Sequence, residues 1–352
     1  MKHEGNLIIR KGDVTDYSLL KEVTSSLNIY SDAKLDAPNL TTVGGSLYIN
    51  SDAKLDAPNL TTVGGYLYIY SDAKLDAPNL TTVGGSLNIN SDAKLPNLTT
   101  VGGYLYINSD AKLPNLTTVG GYLSIYSDAK LPNLTTVGDS LNIYSDAKLP
   151  NLTTVGGYLY IYSDAKLPNL TTVGGYLYIY SDAKLDAPNL TTVGDSLNIY
   201  SDAKLDAPFL KGLKWKSIDG YLFVIESTKV KGDTTIYKGY NIKNVKGKVI
   251  TKDECYVAEQ GVYYAHGKTI KKAVEDVNFK TISEKLKKEP INKDTVINMN
   301  YYRLITGACE MGVQSFIKGN GLKESYKASE LLPILEQSNA YGLSKFKELL
   351  TF

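Results

Sequence analysis

SDAKLDAPNLTTVGGSLYIN, residues 31–50, is the stretch on which the fold turns, because it returns almost letter for letter at 51–70 and 71–90. A shortened form, SDAKLPNLTTVGGYLYIN at 91–108, lacks the Asp-Ala pair and recurs every 18 residues until the 20-residue form comes back at 181–200. A fixed period of this size marks a chain built from stacked structural units. The Leu-x-Ile word locates each unit: Leu27, Leu47, Leu67, Leu87, Leu105, Leu123, Leu141, Leu159, Leu177 and Leu197 each have Ile two residues on. Divergent copies flank them. Leu7 and Ile9, with Leu20 and Val23, keep the register at the N-terminal end, and Ile218 to Val224 (IDGYLFV) repeats the VGGYLYI grammar beyond a longer insert. Twelve coils are therefore expected.

Within one unit, Leu47 and Ile49 alternate with Ser46, Tyr48 and Asn50, the period of a short strand with one dry and one wet face. Gly44-Gly45 and Ser31-Asp32 supply turn chemistry on either side, and the proline of Asp-Ala-Pro-Asn fixes a further corner. Leu35, Leu40 and Val43 then turn inward with the Leu-x-Ile pair. No unit buries five apolar residues by itself, so coils must stack, each strand pairing with its copy roughly 4.8 Å away. The predicted fold is mainly β: a right-handed parallel β-solenoid over residues 1–225, on the order of 50 Å long at that spacing. A small basic α+β domain follows at 226–352, with short strands in 226–267 and helices in 268–352. The grammar L-P-N-L-T-x-V-G-G-x-L-x-I resembles the leucine-rich-like repeats of receptor L domains and of bacterial surface and phage repeat proteins. That resemblance implies a scaffold and names no ligand.

Composition follows from the repeat. There are 28 Tyr against 6 Phe, 3 Met and 1 Trp. The overall charge of +1 hides an asymmetry: up to Leu210 there are 14 Lys+Arg and 21 Asp+Glu, and beyond it 24 and 16, so an acidic half of −7 precedes a basic half of +8. No apolar run has the length of a membrane span, and the first residues carry no signal-peptide core. Cys255 and Cys309 are the two cysteines. A cytoplasmic protein with two reduced thiols is expected, in a host cytoplasm if it is phage-encoded.

The outward positions of the strand are where a solenoid carries function. Tyr66, Tyr104, Tyr122, Tyr158 and Tyr176 precede the Leu; Tyr48, Tyr68, Tyr106, Tyr160 and Tyr178 lie between Leu and Ile; Tyr30, Tyr70, Tyr126, Tyr144, Tyr162, Tyr180 and Tyr200 follow the Ile. Ser and Asn fill most other slots. Tyrosine is amphipathic and costs little entropy to order, so these columns suit recognition of protein, carbohydrate or nucleic-acid bases. Equally, cross-strand aromatic ladders stabilise a sheet without any ligand.

Two more columns repeat. The aspartates of Ser-Asp-Ala-Lys, from Asp32 and Asp52 through Asp92 and Asp110 to Asp202, lack the further oxygen donors and glycines of a calcium loop and read as turn residues. Nine Asn-Leu-Thr triplets, beginning at Asn39, match a glycosylation sequon, but without a secretory signal an amide ladder at a corner is the expected role.

In the basic half, strand-like words at Tyr221, Thr234, Lys248 and Tyr256 are expected to cap the open end of the solenoid. Thr269 is placed to N-cap a helix. A second helix is expected from Met299 to Ile317, carrying Ile305, Ala308, Cys309, Val313 and Phe316 on its apolar face, and Ser329 is expected to cap a third. The strings AHGKTIKKAVEDVNFKTI and YYRLITGACEMGVQSFI look like a module of phage and prophage proteins that also carry leucine-rich-like repeats. Gly261 to Thr269 has the wrong glycine spacing for a phosphate-binding loop. His266 with Cys309, oriented by Glu310 or Glu259, is the one nucleophile–base arrangement the sequence allows, with a packed Cys309 and a turn-bound His266 as the plainer reading. Lys268, Lys271, Lys272, Lys280, Lys285, Lys287 and Lys288 form a basic stripe that nucleic acid would suit, set among Glu275, Asp276, Glu284 and Glu289.

The sequence points to a non-enzymatic interaction protein with no cofactor and no metal. Its binding candidates are the tyrosine columns and Lys268, Lys271, Lys272 and Lys280. The phage-type resemblance implies a bacterial host protein complex as partner, such as one of host defence. A hydrolase or nucleotide-dependent enzyme in the C-terminal module and a carbohydrate-binding surface module are the alternatives.

Overall fold

The computed structural model describes residues 1–90, 93–108, 111–126 and 128–352. Its N-terminal part is a parallel β-solenoid. Three-residue strands from Leu7–Ile9 and Leu27–Ile29 up to Leu197–Ile199 stack in strict register, Leu on Leu and Ile on Ile. Two-residue strands of the Thr42–Val43 type form a second wall, again copy on copy. A third wall, the Lys34–Asp36 type, is continuous through the early 20-residue coils and again toward the C-terminal end, where Lys184–Asp186 pairs with Lys204–Asp206.

The inward set is the one the period dictates: Leu40, Val43, Leu47 and Ile49 are completely buried and Leu35 nearly so, and the pattern repeats coil after coil. With each strand too short to hold itself, it is this continuous apolar column that stabilises the stack. Glycine is required at one column. The first glycine of each Gly-Gly pair, such as Gly64, Gly102 or Gly120, lies so close to the preceding coil that an added Cβ would collide with the carbonyl oxygen of Gly44, Gly84 or Gly102.

The stack ends differently from the expectation of a twelfth coil. Trp215–Ile218 and Tyr221–Lys231 form an antiparallel hairpin, and Tyr221 pairs antiparallel with Asn198. Thr192 and Val193 pair antiparallel with Lys246 and Val245. The reversal follows from the tight turn at Asp219-Gly220, both at positive φ, which returns the chain beside the last coil instead of advancing it. Leu222, Phe223, Val224, Ile242 and Val245 are buried here, so the expected cap is present as an antiparallel plug.

Two compact units result: Met1–Val224 with Asn241–Asp253, and Ile225–Tyr240 with Glu254–Phe352. The strands expected to be short are long, at Tyr221–Lys231, Thr234–Lys246 and Val249–Gln260, joined by turns in which Gly232 and Gly247 take positive φ, as Gly261 does in the turn that leads on to Tyr263–Gly267. In the second unit, Tyr263–Gly267 pairs antiparallel with Tyr256–Gln260. Helix α1 (Ile270–Leu286) buries Ala273 and Val277 against Ala258 and Ala265 of that pair, and Thr269 caps it, accepting from the Lys272 amide.

The expected helix from Met299 to Ile317 is two, α2 (Met299–Thr306) and α3 (Glu310–Gly319). Gly307 at φ 75° ends α2 in a left-handed cap, its amide donating to the Arg303 carbonyl at 2.8 Å. Then α4 (Ala328–Gln337) starts one residue before Ser329, with Lys327 at its N-cap and Glu330 reaching back to the Lys327 amide. A short α5 (Leu343–Glu348) closes the chain over Phe346, which is fully buried. Among the described residues no helix is long and apolar enough to cross a membrane.

Candidate binding surface

The register carries the outward side chains into true columns. Tyr126, Tyr144, Tyr162, Tyr180 and Tyr200 form an unbroken ring stack, with centroids 4.4, 4.5, 4.6 and 5.0 Å apart and planes within 7° of parallel. Between Leu and Ile, Tyr48 stacks on Tyr68 at 5.3 Å and Tyr160 on Tyr178 at 4.9 Å. The column before the Leu packs edge-on instead: Tyr104 meets Tyr122 at 86° and Tyr158 meets Tyr176 at 68°. Lateral contacts such as Tyr66–Tyr68, Tyr68–Tyr70, Tyr106–Tyr122 and Tyr178–Tyr180 join neighbouring columns into islands of rings, interrupted at the coil that carries Ser86, Asn88 and Asn90. Tyr66, Tyr104 and Tyr126 are about half exposed, at 48, 49 and 50%, and Tyr70, Tyr158 and Tyr162 somewhat less.

Burial against the wall, reinforced by neighbouring phenols, raises the pKa of Tyr68, Tyr160 and Tyr178 above the ordinary tyrosine value. Tyr122, Tyr144, Tyr162 and Tyr180 are raised for the same leading reason. These seven phenols are uncharged at neutral pH. Where the middle column lacks tyrosine, Ser124 and Asn142 lie buried between Tyr106 and Tyr160 in the stacking order.

The other columns have structural work. Each asparagine of the Asn-Leu-Thr triplets donates through Nδ2 to a carbonyl of the coil before it: Asn39 to Ser18, Asn59 to Pro38, and onward to Asn189 with Pro168, all at 2.7–2.9 Å. The expected amide ladder is therefore present and runs backward along the stack. The threonine two residues on does the same through Oγ1, Thr61 to Thr41 and Thr117 to Thr99 among others. Together the two ladders line a shallow groove of about 750 Å³ from Asn79 to Asn169, which the sequence reading missed because it weighed the asparagines alone. Asp32, Asp52 and Asp72 sit at φ of 61–62°, the left-handed turn position that aspartate tolerates. Asp92 and Asp110 of that column lie outside the described residues.

The basic stripe is engaged with its own unit. Lys268 donates to the Glu254 carbonyl at 3.1 Å and Lys280 to the Tyr264 carbonyl at 2.6 Å, while Lys272 pairs with Asp276 at 2.7 Å and Lys271 with Glu275 at 3.9 Å. Lys285 and Lys287 pair with Glu289 and Glu284.

Nor are His266 and Cys309 brought together as a pair. Cys309, expected inside a helix face, is the exposed N-cap of α3, its Sγ accepting from the Gly312 amide at 3.3 Å. The cause is the Gly307 break, which turns residue 309 from a mid-helix to a cap position. His266 lies on the strand Tyr263–Gly267, and Nδ1 is 3.9 Å from Sγ of the buried Cys255. Glu259 is held by the hydroxyls of Tyr237 and Tyr264. The Cys255–His266 contact is a diagonal one across two antiparallel strands, His266 facing Val257, and is visible only once their register is known. Among the described residues no group of three His, Cys, Asp or Glu side chains converges as a metal site.

Compared with known proteins, the chain matches no family model, no curated protein and no solved structure.

Proposed function

We propose that the chain is a non-catalytic binding protein that recognises a protein partner through the tyrosine face of its solenoid. One observation carries this reading: in the long column, neighbouring rings cover one another's faces and leave only their edges for a ligand. A sugar ring or a nucleobase needs an open aromatic face on which to stack. A protein surface needs rigid amphipathic contact area with hydroxyl and amide groups interspersed, and the Tyr, Ser and Asn mixture supplies that. The pairing of Lys268, Lys271, Lys272 and Lys280 within their own unit weakens the case for nucleic acid on α1. The phage-type resemblance of the C-terminal strings supports a partner in a bacterial host, an assembly of host defence being one such target.

The test replaces Tyr104, Tyr122, Tyr158 and Tyr176 together by Ser, the residue the repeat itself places at 46, 86 and 140. Wild type and variant are compared as baits in bacterial host lysate, with crosslinking to map contacts. The expected result is one stoichiometric partner crosslinked along the solenoid and lost from a variant that melts lower, its ring contacts being gone, but stays folded by circular dichroism at the temperature of the assay. A partner retained equally by the variant, or crosslinked only to α1, overturns the proposal.

A further inference from the structure

The helical core of the C-terminal unit is recessed on one side. A cavity of about 500 Å³ opens among α2, α3, α4 and the strand Val296–Asn298. Six of its lining residues, Ile297, Tyr302, Ala308, Val313, Leu331 and Leu335, belong to the buried core of that unit. The recess is open to solvent on one side, where the exposed Cys309, Lys323, Glu324 and Tyr341 line it. It falls within the ~300–1,000 Å³ of sites that enclose small molecules.

The wall asks for little polarity. The Tyr302 hydroxyl donates to the Tyr341 carbonyl at 2.7 Å, and the Asn298 side chain accepts from the Tyr301 amide at 2.8 Å. The Tyr326 hydroxyl accepts from the Lys323 amide at 2.9 Å. Among the described lining residues charge appears only on exposed ones, where Lys323, its ammonium 5.9 Å from the Tyr326 ring centre, is followed directly by Glu324. Cys309, also lining and exposed, puts a thiol at the mouth.

We propose that this cavity binds a small amphiphile by its alkyl chain. The aliphatic and aromatic wall takes the chain, and Met299, a flexible lining side chain, adapts to its length. The head group stays at the rim, where the opposed charges of Lys323 and Glu324 largely cancel, so affinity follows the chain and not the head. This site is independent of the tyrosine face.

Decanol, decanoate and decylamine are titrated calorimetrically into the full chain, with iodoacetamide alkylation of Cys309, mapped by mass spectrometry, as a second readout. All three are expected to bind within about tenfold of one another, with a negative heat-capacity change, and to slow Cys309 alkylation. Val313→Trp, which fills the space, is expected to weaken decanol at least about tenfold. Ala340→Trp, at a less buried lining position, serves if the first variant does not fold. The fourfold Tyr→Ser variant of the solenoid should bind decanol as wild type does. Absence of binding and of thiol protection, binding by one charged head group alone, or undiminished binding in the filled variant overturns the proposal.

Discussion

Replacing Leu123 by Asp tests whether the solenoid is held coil by coil. Leu123 is completely buried, stacked between Leu105 and Leu141. Truncating such a leucine to Ala costs about 2–5 kcal/mol. Aspartate leaves much of the same space unfilled and adds the burial of a carboxyl among leucines, which raises the cost by several kcal/mol more. The sum rivals the whole ~5–15 kcal/mol of an ordinary domain. In a nearest-neighbour stack, however, that loss falls on the coils touching residue 123 and is not shared by the far end. The single tryptophan, Trp215, pairs with Val224 in the plug beyond the last coil and reports that end alone. Urea unfolding of Leu123→Asp should therefore show an early phase by far-UV circular dichroism that Trp215 fluorescence does not follow. Deleting residues 145–162 is the companion variant: it joins Tyr144 to Ser163 and restacks Leu177 on Leu141, so the two probes should stay coincident. If Leu123→Asp shifts both probes together, or the deletion abolishes folding, the stack is one cooperative block and the reasoning fails.

Gly120→Val should cost roughly 1–3 kcal/mol, read as a lowered melting temperature, because its Cβ meets the Gly102 carbonyl; Gly121→Asp should be far milder, since the repeat itself carries Asp139 and Asp195 at that place. Tyr162→Ala removes two stacked contacts, to Tyr144 at 4.5 Å and Tyr180 at 4.6 Å, and at ~0.5–1.5 kcal/mol each should destabilise by about 1–3 kcal/mol in urea titration. Alkaline stability should fall: burial pushes Tyr302 up to about 12, so its folded form holds a proton that the unfolded chain releases near 10. That contribution, about 2 kcal/mol, is complete below pH 10 and lost as pH rises from there toward 12, the raised phenols of the solenoid acting in the same direction; melting temperatures that hold or rise across this window would contradict it.

How much was legible in the sequence depended on whether the information was periodic. The stacking of Leu47 on Leu67, the inward set with Leu40 and Val43, and the amide ladder of Asn39 all follow from one coil and its copy, because identical neighbours force identical environments. The helical region offers no copy against which to check a reading. There a single residue, Gly307, decided whether Cys309 packed inside a helix or capped a new one, and apolar spacing alone favours continuity across it. The Asp219-Gly220 turn had the same effect on the twelfth coil: the words of the repeat were present, but the positive-φ pair reversed the strand. The contact of His266 with Cys255 depends on strand register, which no local pattern specifies.

What the coils hold constant and what they vary separates structure from surface. Residues in the Asn39 and Thr41 positions are outward and exposed, yet they do not change from copy to copy across the central coils; each bonds a carbonyl of the preceding coil, so the backbone fixes them. The Asp32 position is constant through the repeats as well, and where φ is positive in the early coils its geometry gives the reason. Apart from the Asp-Ala insert and the aspartates replacing the second glycine, substitution among the central copies is concentrated in the three columns around Leu-x-Ile, where Ser, Asn and Tyr exchange. No backbone bond of the ladder kind demands tyrosine there. The wall keeps its register with serine or asparagine in the middle column, since Leu87-Asn88-Ile89 and Leu123-Ser124-Ile125 pair as their tyrosine-bearing neighbours do. A face free to differ while every other face is fixed is the part of a solenoid on which recognition can be written without altering the fold that carries it.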